Sequence, residues 1–292
     1  MQAPPTFDLV VGTVGRVGEL ARLLDSLERQ TQPAQRIVVV DQSGGTDVAA
    51  LVERRTALPL VRLEAEPGLS HARNEGLQRV TADVVAFPDD DCAYPDDLLE
   101  RVGRFLRERP AVDVLTGRTA DRDGRSSPRW HPAGVVRVED VWHAGNSAAM
   151  FVRRRVLHEI GPFDERLGLG AGTPWTSTED VELLVRALLA GARLEHDPTL
   201  VVEHALRDPD PDALAALGRR DGGSVGFVLG LHGLGARVDA RMFTRPLGGA
   251  ALALAHGDTA RARFHLATWR GRVRGYRAGR RARATSSAKS AA

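Results

Sequence analysis

Residues 83–92 read Asp83-Val84-Val85-Ala86-Phe87-Pro88-Asp89-Asp90-Asp91-Cys92, an apolar strand that runs straight into three adjacent carboxylates. Three neighbouring negative charges repel one another and suit neither a strand interior nor a helix start. A hard divalent cation, Mg²⁺ or Mn²⁺, answers that repulsion, because it takes oxygen ligands and tolerates bound phosphates. Far along the chain, Thr178-Glu179-Asp180 supplies a second carboxylate pair. A metal at a strand end with a second acid pair points to chemistry on a nucleoside diphosphate.

Working outward from this run, apolar stretches alternate with amphipathic ones. Strands are expected at Phe7–Gly12, Arg36–Asp41, Leu60–Leu63 and Asp83–Phe87, and helices at Glu19–Arg29, Asp47–Thr56, His71–Arg79 and Pro95–Glu108. Ser43-Gly44-Gly45 forms a turn after the second strand. In the less regular second half, strands are expected at Val112–Thr116, Ala148–Val152 and Leu200–His204, with helices at Arg154–Ile160 and Thr178–Leu189. Such alternation predicts an α/β fold with a mostly parallel central sheet and helices on both faces.

The 292 residues are 42% apolar and 27% charged, as for a globular chain with a sizeable core. A single cysteine, Cys92, excludes an intramolecular disulfide and fits a reducing compartment. No charged-then-apolar leader precedes Phe7, so no classical signal peptide is expected. The longest apolar stretches, Val225–Leu234 and Leu247–Ala255, fall short of a bilayer span. These observations predict a cytoplasmic protein. Ten of the 40 basic residues, and none of the 38 acidic ones, follow Thr259; the body is acidic and the tail strongly basic.

In an open parallel sheet, ligands bind beyond the carboxyl ends of the strands. Thr13 to Arg16, Asp41 and Asp89 to Asp91 all stand at such ends. Asp41 suits a ribose hydroxyl or a base N–H, or else it forms a turn. In Pro67-Gly68-Leu69-Ser70-His71-Ala72-Arg73-Asn74, Gly68 permits close backbone approach and Arg73 can grip diphosphate oxygens, unless the segment is a plain helix cap. In an extended acidic run the first and third side chains share one side. That selects Asp89 and Asp91 for the metal and sends Asp90 toward a ribose or the interior; the rival is a solvated acidic loop with Asp96 and Asp97. Glu179 and Asp180 either cap a helix, with Thr178, or include a general base that takes a proton from a hydroxyl. His204, at a strand end, is a third metal ligand or a structural histidine.

Five motifs in order complete the pattern. They are Val38-Val39-Val40-Asp41, Gly68-x-x-x-Ala72-Arg73-Asn74-x-Gly76, Phe87-x-Asp89-Asp90-Asp91, Gly161-x-Phe163-Asp164-Glu165 and Glu179-Asp180-x-Glu182-Leu183-x-x-Arg186-x-x-x-x-Gly191. In this the chain resembles a bacterial family 2 glycosyltransferase with a GT-A-type fold, over roughly residues 6–206. The resemblance implies inverting transfer of a sugar from a nucleoside-diphosphate sugar to an acceptor hydroxyl. It places Thr13, Arg16, Asp41, Arg73 and Asp90 on the nucleotide, with Ser43, Gly68 and Asn74 beside them. Asp89 and Asp91 would hold the metal, and Asp180, next to Glu179, would be the base. Asn146 in Gly145-Asn146-Ser147 would line the sugar pocket. Gly172 and Trp175 would serve an acceptor-side loop, with Trp175 stacking on a sugar. The first strand departs from the family pattern, with Gly12-Thr13-Val14-Gly15-Arg16 replacing the usual Pro-Thr pair, so the nucleotide stays open.

The resulting organisation is a catalytic domain over 1–206, with a nucleotide-binding half to about 110 and an acceptor half over 111–206. A polar hinge at Leu206–Asp212 leads to a helical extension over 207–282, and residues 283–292 are expected to be disordered. In the extension Leu266, Trp269, Val273 and Tyr276 fall on one helical face among arginines, the pattern of a helix on an anionic membrane at the inner face of the cell membrane. The rival is a packed helix with a solvated basic face; no nucleic-acid recognition fold accompanies the basic run. A membrane-bound enzyme of this kind would use a lipid-linked or glycan acceptor in cell-surface glycan, polysaccharide or glycolipid synthesis. Two other functions stand against it. A sugar-nucleotide nucleotidyltransferase normally carries a lysine in the first loop, and Gly12–Gly18 has none. A non-catalytic binding protein would have no use for the intact acidic run.

Overall fold

The computed structural model describes residues 3–126, 131–205, 210 and 213–290. The chain forms two units, Met1–Asp164 with Asp180–Leu206, and Glu165–Glu179 with Arg207–Ala292. The first is a mixed sheet with helices. Its strands are β1 (Phe7–Thr13), β2 (Arg36–Asp41), β3 (Leu60–Glu64), β4 (Val84–Ala86), β5 (Cys92–Ala93), β6 (Val114–Ala120), β7 (Gly134–Val135), β8 (Met150–Arg153) and β9 (Leu194–His204). The helices are α1 (Val17–Glu28), α2 (Asp47–Glu53), α3 (Leu69–Leu77), α4 (Leu98–Glu108), α5 (Arg154–Ile160) and α6 (Glu179–Leu189).

The strand order is β3-β2-β1-β4-β8-β6-β9-β5, with β7 also on β9. β3, β2, β1 and β4 are parallel, as their alternation with helices requires. From β8 onward the sheet departs from the mostly parallel expectation. β8 is antiparallel to β4 and to β6, β6 is parallel to β9, and β5 and β7 are antiparallel to β9. β9 starts at Leu194, six residues before the expected strand, because Leu194-Glu195-His196 pairs with Val114–Thr116 before a register shift.

β1 and β2 are covered on both sides, which their unbroken apolar runs reflect. Phe7, Leu9, Val11, Ile37 and Val39 pack with Leu20, Leu23 and Leu24 of α1 and Leu98, Leu99 and Val102 of α4. On the other side α3 lies so close that a Cβ on Gly76 would overlap Val10 and crowd Val40.

In the second unit α7 (Leu214–His232), α8 (Ala236–Ala255) and α9 (Thr259–Ser290) are helical. Gly218, Gly222, Gly226 and Gly230 stand four residues apart on α7. A Cβ on each would overlap a carbonyl oxygen of α9, at Phe264, Thr268, Arg272 and Tyr276 respectively. Gly271, Gly275 and Gly279 of α9 meet the carbonyls of Arg219, Gly223 and Phe227 in return. The α9 glycines therefore form a backbone-to-backbone seam, where the sequence shows only weakened helix propensity. α9 also packs on α8, with Tyr276 hydroxyl donating to Asp239 and its ring edge-on to Phe243. The apolar face of α9 expected to meet a membrane thus carries internal contacts at Tyr276. The helix runs to Ser290, so residues 283–290 are helical where disorder is expected. Of the hinge at 206–212, only Asp210 lies within the described residues.

Candidate active site

β4 ends at Ala86, and the chain passes through Phe87 and Pro88 into the acidic run before β5 pairs with the end of β9. That pairing sets Cys92 opposite His204 and fixes the histidine beside the carboxylates. His204 Nε2 lies 3.2 Å from Asp91 Oδ1 and 3.8 Å from Asp89 Oδ2. One ligand atom each from Asp89, Asp91, Cys92 and His204 can be chosen within 4.8 Å of the others. Asp90 turns the other way and is buried, accepting from Thr13 Oγ1 at 2.7 Å and Arg16 Nε at 3.2 Å.

Three cationic or ionisable partners already answer the negative run. Arg16 bridges Asp90 and Asp91, with Nη1 2.8 Å from Asp91 Oδ2. Arg73, fully buried under the Phe163 ring, donates to Asp89 Oδ1 at 3.0 Å. The hydrogen bond to Asp91 and the two carboxylate charges hold the His204 imidazole above its usual range. The same bond to His204, together with Arg16, holds Asp91 well below the carboxylate range. Burial pushes Asp89 up against the pull of Arg73 and His204, and pushes Asp90 up against Thr13 and Arg16. The compensation that the bare sequence assigns to a cation is thus shared with side chains, and Arg16 stands on the acids themselves.

Two carboxylates and an imidazole make an oxygen-rich donor set that fits Mn²⁺ or Mg²⁺. Cys92 is not a fourth ligand of that kind: burial and the neighbouring acids push its thiol well up, away from the thiolate a soft metal needs.

Asp180 opens α6. Its Oδ2 accepts from Ser147 N at 3.1 Å and its Oδ1 from Val181 N at 2.7 Å. Asn146 is held extended, accepting from Ala148 N at 3.0 Å and donating to Thr119 Oγ1 at 3.2 Å. A cavity of about 240 Å³ is lined by Asp89, His204, Asp180, Asn146, Ser147 and Gly145, with Gly117, Arg118, Thr119, His143 and Ala144. The last five carry no sequence signal. They come from the end of β6 and the turn before β8, joined only by sheet pairing. Just before Asp180, Thr178 is the only non-glycine residue with positive φ among the described residues, at 70°. Its hydroxyl bonds the Ser177 carbonyl and caps nothing on α6. Glu179 beside it is buried.

Several other expected site residues hold the framework. Asp41 accepts from Ser43 N at 2.9 Å and Ser43 Oγ at 2.6 Å on one oxygen, and from Arg62 Nε at 3.0 Å and Nη2 at 2.8 Å on the other. It serves the turn and β3, with no acceptor site to spare for a ribose in this arrangement. Asn74 exchanges two hydrogen bonds with the backbone of Phe163, tying α3 to the segment after α5. Gly68, at φ 146°, opens α3 in a conformation that favours glycine and donates its N–H to Gln42. Glu182 pairs with Arg186, which donates to the carbonyls of Ile160 and Pro162, so this part of the motif fastens α6 to the end of α5.

Gly172 and Trp175 belong to the second unit. Trp175 is 9% exposed and stacks one face of its ring on Phe227 at 5.2 Å and 18°. Ser177 of the same segment bonds Asp221 of α7.

The mixed sheet with its acidic turn before β5 defines a GT-A-type glycosyltransferase fold. A mannosyltransferase of Pyrobaculum calidifontis in complex with GDP-Man and Mn²⁺ superposes with a TM-score of 0.65 at 17% identity, covering 94% of this chain and 88% of that one. Staphylococcus aureus TarS in complex with UDP-GlcNAc gives 0.60 at 20% identity, covering 94% and 92%. The glycosyl transferase family 2 model matches residues 8–162, more than half of the sequence, and the chain belongs to that family. Among curated relatives, glycosyltransferase AglE of Haloferax volcanii is 25% identical over 185 residues. That match covers 59% of this chain and 60% of that protein. A PGL/p-HBAD biosynthesis glycosyltransferase of Mycobacterium tuberculosis is 28% identical over 172 residues, covering 56% and 65%. The chain therefore spans somewhat under two thirds of the length of these relatives.

Proposed function

We propose that this chain is an inverting, metal-dependent glycosyltransferase that moves a sugar from a nucleoside-diphosphate sugar to an acceptor hydroxyl. The observation that carries the reading is the single cavity where Asp89 and His204, from the acidic centre, face Asp180 and Asn146. Such a site needs a cation end for the leaving diphosphate and a base end for the incoming hydroxyl, and Asp89 with His204 on one side and Asp180 on the other support that reading. The solved neighbours complexed with GDP-Man and Mn²⁺ and with UDP-GlcNAc supply the donor class.

Asp89, Asp91 and His204 would hold the cation, which supplies charge neutralisation for the diphosphate when bound. Arg16 pairs with Asp91 and Arg73 with Asp89, so both guanidinium groups would stand beside the bound diphosphate and could grip its oxygens. Asp180 takes the acceptor hydroxyl's proton. The oxygen then bonds to the anomeric carbon from the face opposite the diphosphate, whose bond to that carbon breaks with the electron pair leaving on phosphate. The N–H groups of Ser147 and Val181 fix the Asp180 carboxylate in place for this. A lipid-linked or glycan acceptor at the inner face of the cell membrane completes the reading.

Asp180→Asn tests it. The amide cannot accept the proton, so transfer from a panel of nucleotide sugars should fall by at least about a thousandfold, some 4 kcal/mol of barrier. Donor binding, read by thermal shift with Mn²⁺, should stay within about twofold of wild type. An Asp180→Asn enzyme of undiminished activity would sink the assignment.

A further inference from the structure

The second unit keeps an unburied apolar surface on α8. Leu247, Leu252 and Leu254 are 42%, 63% and 58% exposed. From Leu247 to Ala255 every exposed residue is apolar: Leu247, Gly248, Ala251, Leu252, Leu254 and Ala255. Leu247 and Leu254 share one side of the helix and Leu252 stands at the other edge of the exposed arc, with Gly248, Ala251 and Ala255 between them. So broad an apolar arc marks a contact surface. At one edge of this arc Gly249 faces the ring of His265 of α9. The glycine face of α7 is filled by α9 and does not cover the leucines.

Charge says what does. Residues 213–290 carry fourteen arginines and one lysine against three aspartates and no glutamate. All three aspartates are engaged within the unit: Asp221 with Ser177 and Arg220, Asp239 with Tyr276, and Asp258 with the N–H of Arg261 at the start of α9. Arg241 and Arg245 lie within two turns before the leucines, and Arg261 and Arg263 follow them. A second copy meeting it through this same unit would bring the same excess of positive charge against itself. Nucleic acid would leave the leucines in water. A bilayer with anionic headgroups satisfies both features, taking the leucines into its outer hydrocarbon and the guanidinium groups at its phosphates. No helix among the described residues is long and apolar enough to cross a membrane, so the contact lies along the surface.

We propose that the exposed face of α8, centred on Leu247, Leu252 and Leu254, docks the protein on an anionic lipid bilayer. The tail arginines of α9 add attraction, whereas the apolar insertion belongs to α8. For its purpose the inference rests on the lipid-linked acceptor of the proposed function, but it is tested without any sugar transfer.

The test is flotation of the full chain with vesicles of phosphatidylcholine alone and of phosphatidylcholine mixed with phosphatidylglycerol. Wild type should float with the mixed vesicles only, and high salt should release it. The pair Leu252→Glu and Leu254→Glu should lower the bound fraction by about tenfold. Leu189→Glu, an equally exposed leucine at the end of α6, should change nothing. Circular dichroism and nucleotide-dependent thermal shift, unchanged in the double variant, show that it is folded and that its donor site is intact. The proposal is overturned if wild type floats with neither vesicle or equally with both. It is also overturned if the double variant binds as wild type does, or if wild type elutes as a dimer that the double variant dissociates.

Discussion

In the first unit side chains fill the space between backbones, whereas in the second two helices meet where side chains are missing. β1 and β2 carry branched and aromatic residues with no exposed surface, and Leu20, Leu23 and Leu99 close over them. α7 and α9 instead present seven glycines whose absent Cβ atoms let carbonyl oxygens touch the facing helix. The difference teaches where each unit can bear change. A filled core loses stability when atoms are removed, and a glycine seam loses it when atoms are added.

Leu99→Ala should have the largest effect. Leu99 is fully buried, and its truncation should cost about 2–5 kcal/mol in urea unfolding, with faster amide exchange in β1, β2 and α4. A loss below about 1 kcal/mol would mean that this core is loosely packed and the contrast overstated.

Acid should bear on the filled unit next. His196 sits opposite Thr116 in the β6–β9 pairing, with Nδ1 3.0 Å from Thr116 Oγ1 and Nε2 without a hydrogen-bond partner. Burial, aided by His131, pushes its pKa down to about 4. The folded state thus resists protonation that the unfolded chain accepts near 6.5. Its contribution is intact above about pH 6.5 and is lost as pH falls toward 4, by about 2–3 kcal/mol. Unfolding of wild type and His196→Asn across that range measures it; parallel pH profiles for the two proteins would dismiss the histidine.

Gly226→Ala probes the seam. Its methyl group would strike the backbone of Arg272, which cannot rotate away as a side chain can, and should cost about 1–3 kcal/mol, with faster exchange in α7 and α9. A neutral or stabilising alanine would break the comparison, because the seam would then behave as an ordinary helix surface.

Much of the site was legible because strand ends declare themselves in one dimension. The apolar run into Asp89-Asp90-Asp91 locates the end of β4, and the alternation of an extended chain separates Asp90 from its neighbours. The partners of those acids were not legible. Arg16 has no visible carboxylate partner in the sequence until β1 and β4 pair and set it against Asp90 and Asp91. Nor does the sequence show that Phe227, fifty-two residues on, stacks on one face of Trp175. The family motifs also mix two kinds of residue that spacing cannot distinguish. Asp180 lines the cavity, whereas Glu182 and Arg186 of the same motif fasten α6 to α5.

The sequence by itself determined the family, the parallel half of the sheet and the carboxylates that give the site its character, because periodicity and charge are local properties. Only the tertiary structure decided that β8 runs antiparallel, that residues 165–179 join the helical unit, and that the α9 glycines are contacts. It also left Leu247, Leu252 and Leu254 of α8 exposed while Tyr276 of α9 packs inward. Each of these depends on which backbone approaches from elsewhere in the chain, and a pattern of buried and exposed positions names the buried face without naming what buries it.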